Sequence, residues 1–124
     1  MVTFHTPFSG FSVDDTAKAA AFYTDVLGLK VGRIDDGMLQ IDLGDDHHVF
    51  VYAKGDAHEP ATFTVFNLPV DDVGAAVREL AGRGVEFLRY DGMPQDDDGV
   101  MRGQGPDIAW FADPAGNVFS VLAV

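Results

Sequence analysis

Four histidines, and one acid beside the last of them, are the residues best suited to hold a metal ion: His5, His47, His48 and the pair His58-Glu59. Imidazole nitrogens and carboxylate oxygens bind zinc and similar ions when three or four of them converge. His47 and His48 are adjacent on a β-like run, where neighbours point to opposite faces, so they cannot share one ion in regular geometry. His5 precedes the first strand. What remains is a site built from His48, His58 and Glu59, set against surface or hydrogen-bonded imidazoles, and the spacing favours the second reading.

The other candidates combine hydroxyl and aromatic groups. The stretch DPAGNVFSVL, residues 113–122, opens as a turn, with a proline of fixed φ followed by glycine and asparagine, which accept positive φ. It then alternates as a strand, and Ser120 places a hydroxyl in an otherwise apolar run. That hydroxyl can orient a ligand, hold a water or bond a neighbouring strand. Tyr52, Tyr90 and Trp110 each join a flat apolar face to a polar tip, as residues of small-molecule pockets do, and as core or dimer contacts do too. Other patterns fall away. Asp96-Asp97-Asp98-Gly99 lacks the alternate ligands and closing glutamate of a calcium loop, and Gly103-Gln104-Gly105 opens no helix and so makes no dinucleotide fingerprint. No serine sits in a nucleophile elbow and no close carboxylate pair offers acid–base chemistry, so no catalytic residue is assigned.

The elements that must position these residues occur twice. Val13-Asp14-Asp15 opens one helical stretch and Val70-Asp71-Asp72 opens another 57 residues later. The first carries Ala19, Phe22, Tyr23 and Val26 at helical spacing and stops at Gly28. The second carries Val73, Ala76, Val77 and Leu80 and stops at Gly82 or Gly84. Each has an aspartate N-cap, an apolar stripe and a glycine stop. Alternating runs over residues 6–13 and 62–70 precede the helices. Further β-like runs follow at 30–35, 38–43 and 47–54, and again at 85–90, 108–112 and 117–123. The predicted fold is α+β: two β-α-β-β-β modules, about residues 1–56 and 60–124, in a single domain whose sheets share an interior. The repeat aligns Phe11 and Val13 with Leu68 and Val70, under the helices. Phe8, Gly10 and Ser12 align with Val65, Asn67 and Pro69 on the opposite face, whose mixed character suits a cleft wall. The segment 90–107, rich in glycine and acid, is long enough to form a lid, with Met93, Met101 and Arg102 as its candidate contacts, or else a solvated flap.

Three motifs, VDDTAKAAAFYTDVLGLKV (13–31), VDDVGAAVRELAGRGVEF (70–87) and WFADPAGNVFSVL (110–122), resemble the vicinal oxygen chelate superfamily over essentially the whole chain. That family includes glyoxalase I, extradiol dioxygenases, fosfomycin-resistance transferases and bleomycin-resistance proteins. The resemblance implies that the two modules form a concave, partly open mixed sheet around a cleft. It also implies a divalent metal held there by residues of four strands, acting as a Lewis acid on two substrate oxygens. The implied ligand positions fall on Phe8, Phe50, Val65 and Ser120. Phenylalanine and valine cannot ligate and a neutral serine is a weak ligand, so the usual metal is not expected.

Composition narrows the classes further. Hydrophobic residues make up 47% of the chain, enough for a packed interior, yet no apolar run approaches the roughly 20 residues of a membrane span. A net charge of −12, with no basic stripe, repels a phosphate backbone and excludes nucleic acid as the expected partner. MVTFHTPFSG lacks a signal-peptide pattern, and with no cysteine there is no disulfide or thiol chemistry, so a cytoplasmic location is the expectation. The reading that follows is a metal-independent protein, without a cofactor, that sequesters or carries a small organic molecule, resembling the bleomycin-resistance branch. The alternatives are a lyase, isomerase or dioxygenase of the glyoxalase type with a relocated metal site, or a metal-free enzyme on the same scaffold. The expected binding residues are Phe8, Gly10, Tyr52, Val65, Asn67, Trp110 and Ser120. The ligand is expected to be neutral or cationic and partly aromatic, and the resemblance also implies a homodimer.

Overall fold

A computed structural model describes residues 1–124, the side chain of Asp36 excepted. The architecture is α+β, with two helices and two small mixed sheets. The chain divides into two compact units, Met1–Glu59 and Pro60–Val124.

In the first unit the order is β1 (Ser9–Val13), α1 (Thr16–Ala21), a π-helical turn (Phe22–Val26), β2 (Val31–Arg33), β3 (Leu39–Gly44) and β4 (His47–Ala53). The sheet order β1-β4-β3-β2 places β1 parallel to β4, and the other pairs are antiparallel. The Asp15 carboxylate accepts hydrogen bonds from the Ala17 and Lys18 N–H groups at 2.8 and 3.2 Å, satisfying donors that the first helical turn leaves open. The apolar stripe read as one helix changes pitch after Ala21. The π turn leaves Tyr23 fully buried, its ring edge-on to Phe11, and Gly28 ends the segment at φ 71°. Alternation then sorts the sheet. Phe11, Val13, Leu39, Ile41, Val49 and Val51 are buried, and α1 packs on β4. Gly10, Gln40, Asp42, His48, Phe50 and Tyr52 take the opposite face.

In the second unit the order is β5 (Thr64–Val70), α2 (Val73–Gly82), β6 (Ile108–Ala112) and β7 (Val118–Ala123), with β7 central, parallel to β5 and antiparallel to β6. Asp72 caps α2 through the Ala75 N–H at 3.0 Å, and Val73, Val77 and Leu80 are buried as the stripe requires. The helix packs on β6 and β7. Asp113 and Asn117 hold the β6–β7 turn. Asp113 Oδ1 accepts from the Ala115 and Asn117 N–H groups at 3.0 and 2.8 Å, while Asn117 Oδ1 accepts from the Ala61 N–H at 3.1 Å.

One expected element differs. Residues 85–90 do not form a regular strand, so the second unit runs β-α-β-β, with isolated bridges of Phe87 to Phe111 and Met101 to Ile108 along β6. The Gln95 side chain takes the place of a longer ladder. Its amide accepts from the Tyr90 N–H at 2.8 Å and donates to the Leu88 and Gly99 carbonyls at 2.9 and 2.8 Å. A side chain that satisfies the backbone locally removes the need for a strand partner.

Candidate functional site

Phe8 and Phe50 make the centre of the candidate site. Their rings meet edge to face, with centroids 4.6 Å apart and planes at 68°. Phe8, just before β1, is 69% exposed, an unusual setting for a ring this large. Register explains the space beside Phe50: Gly10 lies opposite it, and a Cβ at Gly10 would come 3.0 Å from the Phe50 carbonyl oxygen. The result is an apolar cavity of about 390 Å³ lined by Phe8, Gly10, Met38, Phe50 and Tyr52, within the usual range for small-molecule sites. On the other side of the ring pair, Thr6, Pro7, Asp46, His47 and His48 join Phe8 and Phe50 around a second hollow of about 230 Å³.

Polar groups near this face are already engaged with one another. Ser12 Oγ and His58 Nδ1 are 2.9 Å apart, with the donor set by the imidazole tautomer. Asp42, opposite His48 in register, accepts the Gly44 N–H at 2.7 Å and lies 3.4 Å from Lys30 Nζ. The Gly44 N–H holds the Asp42 carboxyl below the usual carboxylate range, with the Lys30 charge adding to that effect.

Of the residues expected from sequence, Phe8, Gly10 and Tyr52 line one cavity. Val65, Asn67, Trp110 and Ser120 belong to the second unit. Val65 is the extra residue of a β-bulge between Thr64 and Phe66. Ser120 is fully buried, and its hydroxyl donates to Asn67 Oδ1 at 2.6 Å. Trp110 pairs with Ser120 in register, and its ring stands edge-on to Tyr90 at 5.5 Å. Sequence reasoning missed Met38 in the apolar cavity and Asp46 beside the rings. A methionine between turn and strand carries no periodic signal, and Asp46 reads as an ordinary turn acid.

The residues at the implied metal positions do not fit a metal. Phe8 and Phe50 pack ring on ring, Val65 offers no lone pair, and the Ser120 proton is committed to Asn67. Among the described residues no three His, Asp or Glu side chains converge to hold an ion, so His48, His58 and Glu59 do not assemble one. Among these residues, too, no helix is long and apolar enough to cross a membrane.

The segment 90–107, expected as a lid or flap, is internally tied. Asp96 accepts from the Asp98 and Val100 N–H groups at 3.0 and 2.9 Å, and Arg102 bridges Asp96 and Asp107 at 3.3 and 2.6 Å. Partial burial pushes the Asp96 carboxyl up, but the Val100 and Asp98 N–H groups and the Arg102 charge outweigh it, leaving a value below the ordinary one. Arg89 donates to the Asp96 and Asp97 carbonyls, and Val100 is buried.

No curated protein sequence matches the chain significantly. Solved structures share its fold. A member of the glyoxalase/bleomycin resistance protein/dioxygenase superfamily from Sphaerobacter thermophilus is 24% identical, with 98% of both chains covered and a TM-score of 0.71. The antibiotic-binding protein TnmS3 from Streptomyces sp. CB03234 is 25% identical, with 99% of this chain and 98% of that one covered and a TM-score of 0.67. A lactoylglutathione lyase from Agrobacterium tumefaciens is 20% identical, with 98% and 95% covered and a TM-score of 0.65. The Glyoxalase/Bleomycin resistance protein/Dioxygenase superfamily model matches residues 6–121. The chain belongs to that superfamily.

Proposed function

We propose that this protein binds a small organic molecule without a metal, sequestering or carrying it, and that the ligand sits in the cavity of Phe8, Gly10, Met38, Phe50 and Tyr52. The observation that carries the reading is the Phe8–Phe50 ring pair, at two positions where the family resemblance implies metal ligands. Two rings there replace chelation with burial, at about 25 cal/mol for each Å² of apolar surface removed from water. TnmS3, described as antibiotic-binding, supplies a binding precedent on this fold, as the lactoylglutathione lyase supplies a catalytic one for the alternative. A homodimer belongs to the same proposal, supported by the exposed Phe4 and Phe63 rings, which a second copy would cover. Light scattering that gives a monomer at micromolar concentration would overturn that part.

The test is a thermal-shift screen of chelator-treated protein against neutral aromatics, aromatic cations and polyanions. The proposal expects stabilisation by aromatic compounds that chelator leaves intact and that Phe8→Ala or Phe50→Ala abolishes. Stabilisation only after a divalent metal is restored, or by polyanions alone, would overturn it.

A further inference from the structure

The Phe8–Phe50 pair stands between two unlike hollows. On one side are Gly10, Met38 and Tyr52. On the other are Thr6, Pro7, Asp46, His47 and His48. Strand alternation sets His48, Phe50 and Tyr52 in a row along one face of β4, so polarity changes along that row from imidazole to ring to phenol. A ligand lying across the rings therefore meets apolar surface at one end and Asp46 with the His48 imidazole at the other.

Asp46 reaches this place at a conformational cost. The β3–β4 hairpin turns through Asp45 and Asp46 at φ 52° and 62°, following Gly44 at φ 86°. A two-residue turn with both φ values positive is ordinarily made with asparagine and glycine. Aspartate tolerates that region better than most residues but gains nothing from it over asparagine. The strained turn thus places an ionised group, rather than the neutral amide that suits the backbone as well, at the edge of an aromatic hollow.

We propose that the hollow of Asp46, His48, Phe8 and Phe50 is a cation subsite, and that the ligand is an organic cation whose flat apolar body fills the larger cavity. The assignment rests on the small-molecule reading above and specifies its ligand class. Ring faces attract an ammonium group through their quadrupole, and the Asp46 carboxylate supplies the full countercharge. The volumes suit this division: about 390 Å³ holds an aromatic body, and about 230 Å³ holds a methylated ammonium group. The net charge of −12 raises the local concentration of cations and disfavours anionic analogues. Lys30 pairs with Asp42 at 3.4 Å, and the hollow's lining holds Asp46 as its acid and no lysine or arginine.

The test uses two probes of one shape, benzyltrimethylammonium and its neutral carbon isostere neopentylbenzene, titrated into the full chain and into Asp46→Asn by calorimetry. Asparagine keeps the turn, so circular dichroism and melting temperature should stay unchanged. The cation should bind about 10-fold more tightly than the isostere, and Asp46→Asn should remove most of that difference while leaving the isostere's affinity as it was. Phe50→Ala should weaken both probes. Equal affinity for the two probes in the parent chain, or an equal loss for both on Asp46→Asn, would overturn the cation subsite while leaving the binding reading standing. Failure of both probes to bind would overturn the two together.

Discussion

In the first unit the parallel pair β1/β4 sets Gly10 opposite Phe50, and in the second the matching pair β5/β7 sets Asn67 opposite Ser120. The strands, their parallel sense and the helix that follows are alike. The side chains are used in opposite ways. Gly10 leaves room beside a ring that stays partly exposed, and the space becomes a cavity. Asn67 and Ser120 close on each other through a hydrogen bond of 2.6 Å, with Ser120 fully buried. A repeated backbone therefore does not imply a repeated site. One copy joins its polar groups to each other and the other leaves apolar surface open, where burying a ligand would gain free energy.

The largest effect should come from the closed unit. Phe111 is fully buried against Phe87 and Phe119, with ring centroids 5.6 and 5.7 Å away. Phe111→Ala should cost about 3–5 kcal/mol in denaturant unfolding. Asn67→Ala should cost about 1–3 kcal/mol by stranding a buried hydroxyl, and adding Ser120→Ala should recover part of that loss. Full additivity of the two substitutions would mean that the pair is not coupled. Phe50→Ala should reverse the pattern. The ring is only half-buried, so stability should fall by about 1 kcal/mol, a fraction of the 1.5–3 kcal/mol of full burial, while aromatic ligand binding drops at least about 10-fold.

The smallest effect is one of pH. The Asp96 carboxyl sits below its ordinary value of 3.8, so its contribution to the 90–107 segment is complete above that value and is lost as pH falls through the lower folded value. Hydrogen exchange of the Asp98 and Val100 amides should stay slow from pH 7 to about 4 and lose protection only below that range, allowing for the intrinsic rate. Loss of protection near pH 6 would assign the clasp to another group.

Much of this architecture is legible in the sequence, and the reason is periodicity. Asp15 and Asp72 cap the helices, and Val73, Val77 and Leu80 turn inward because a 3.6-residue stripe has only one buried solution. Two features are not legible for the opposite reason. Residues 85–90 alternate like a strand, yet Gln95, five residues past the run, satisfies their backbone by a contact that no pattern encodes. The helix pitch changes at Phe22 without a proline or glycine to announce it. The candidate site is partly readable: the repeat sets Phe8 and Gly10 on one face. Its other wall, Phe50 and Met38, depends on pairing register and on a turn, which composition leaves open.

The central claim, that the open face of the first unit binds an organic ligand without metal, is tested most directly by amide chemical shifts of chelator-dialysed, ¹⁵N-labelled protein titrated with an aromatic ligand. The account predicts saturable shifts at Gly10, Met38, Phe50 and Tyr52 that vanish in Phe50→Ala. Shifts that require added zinc, nickel, iron or manganese, or saturable shifts that leave those four amides unmoved, would contradict it.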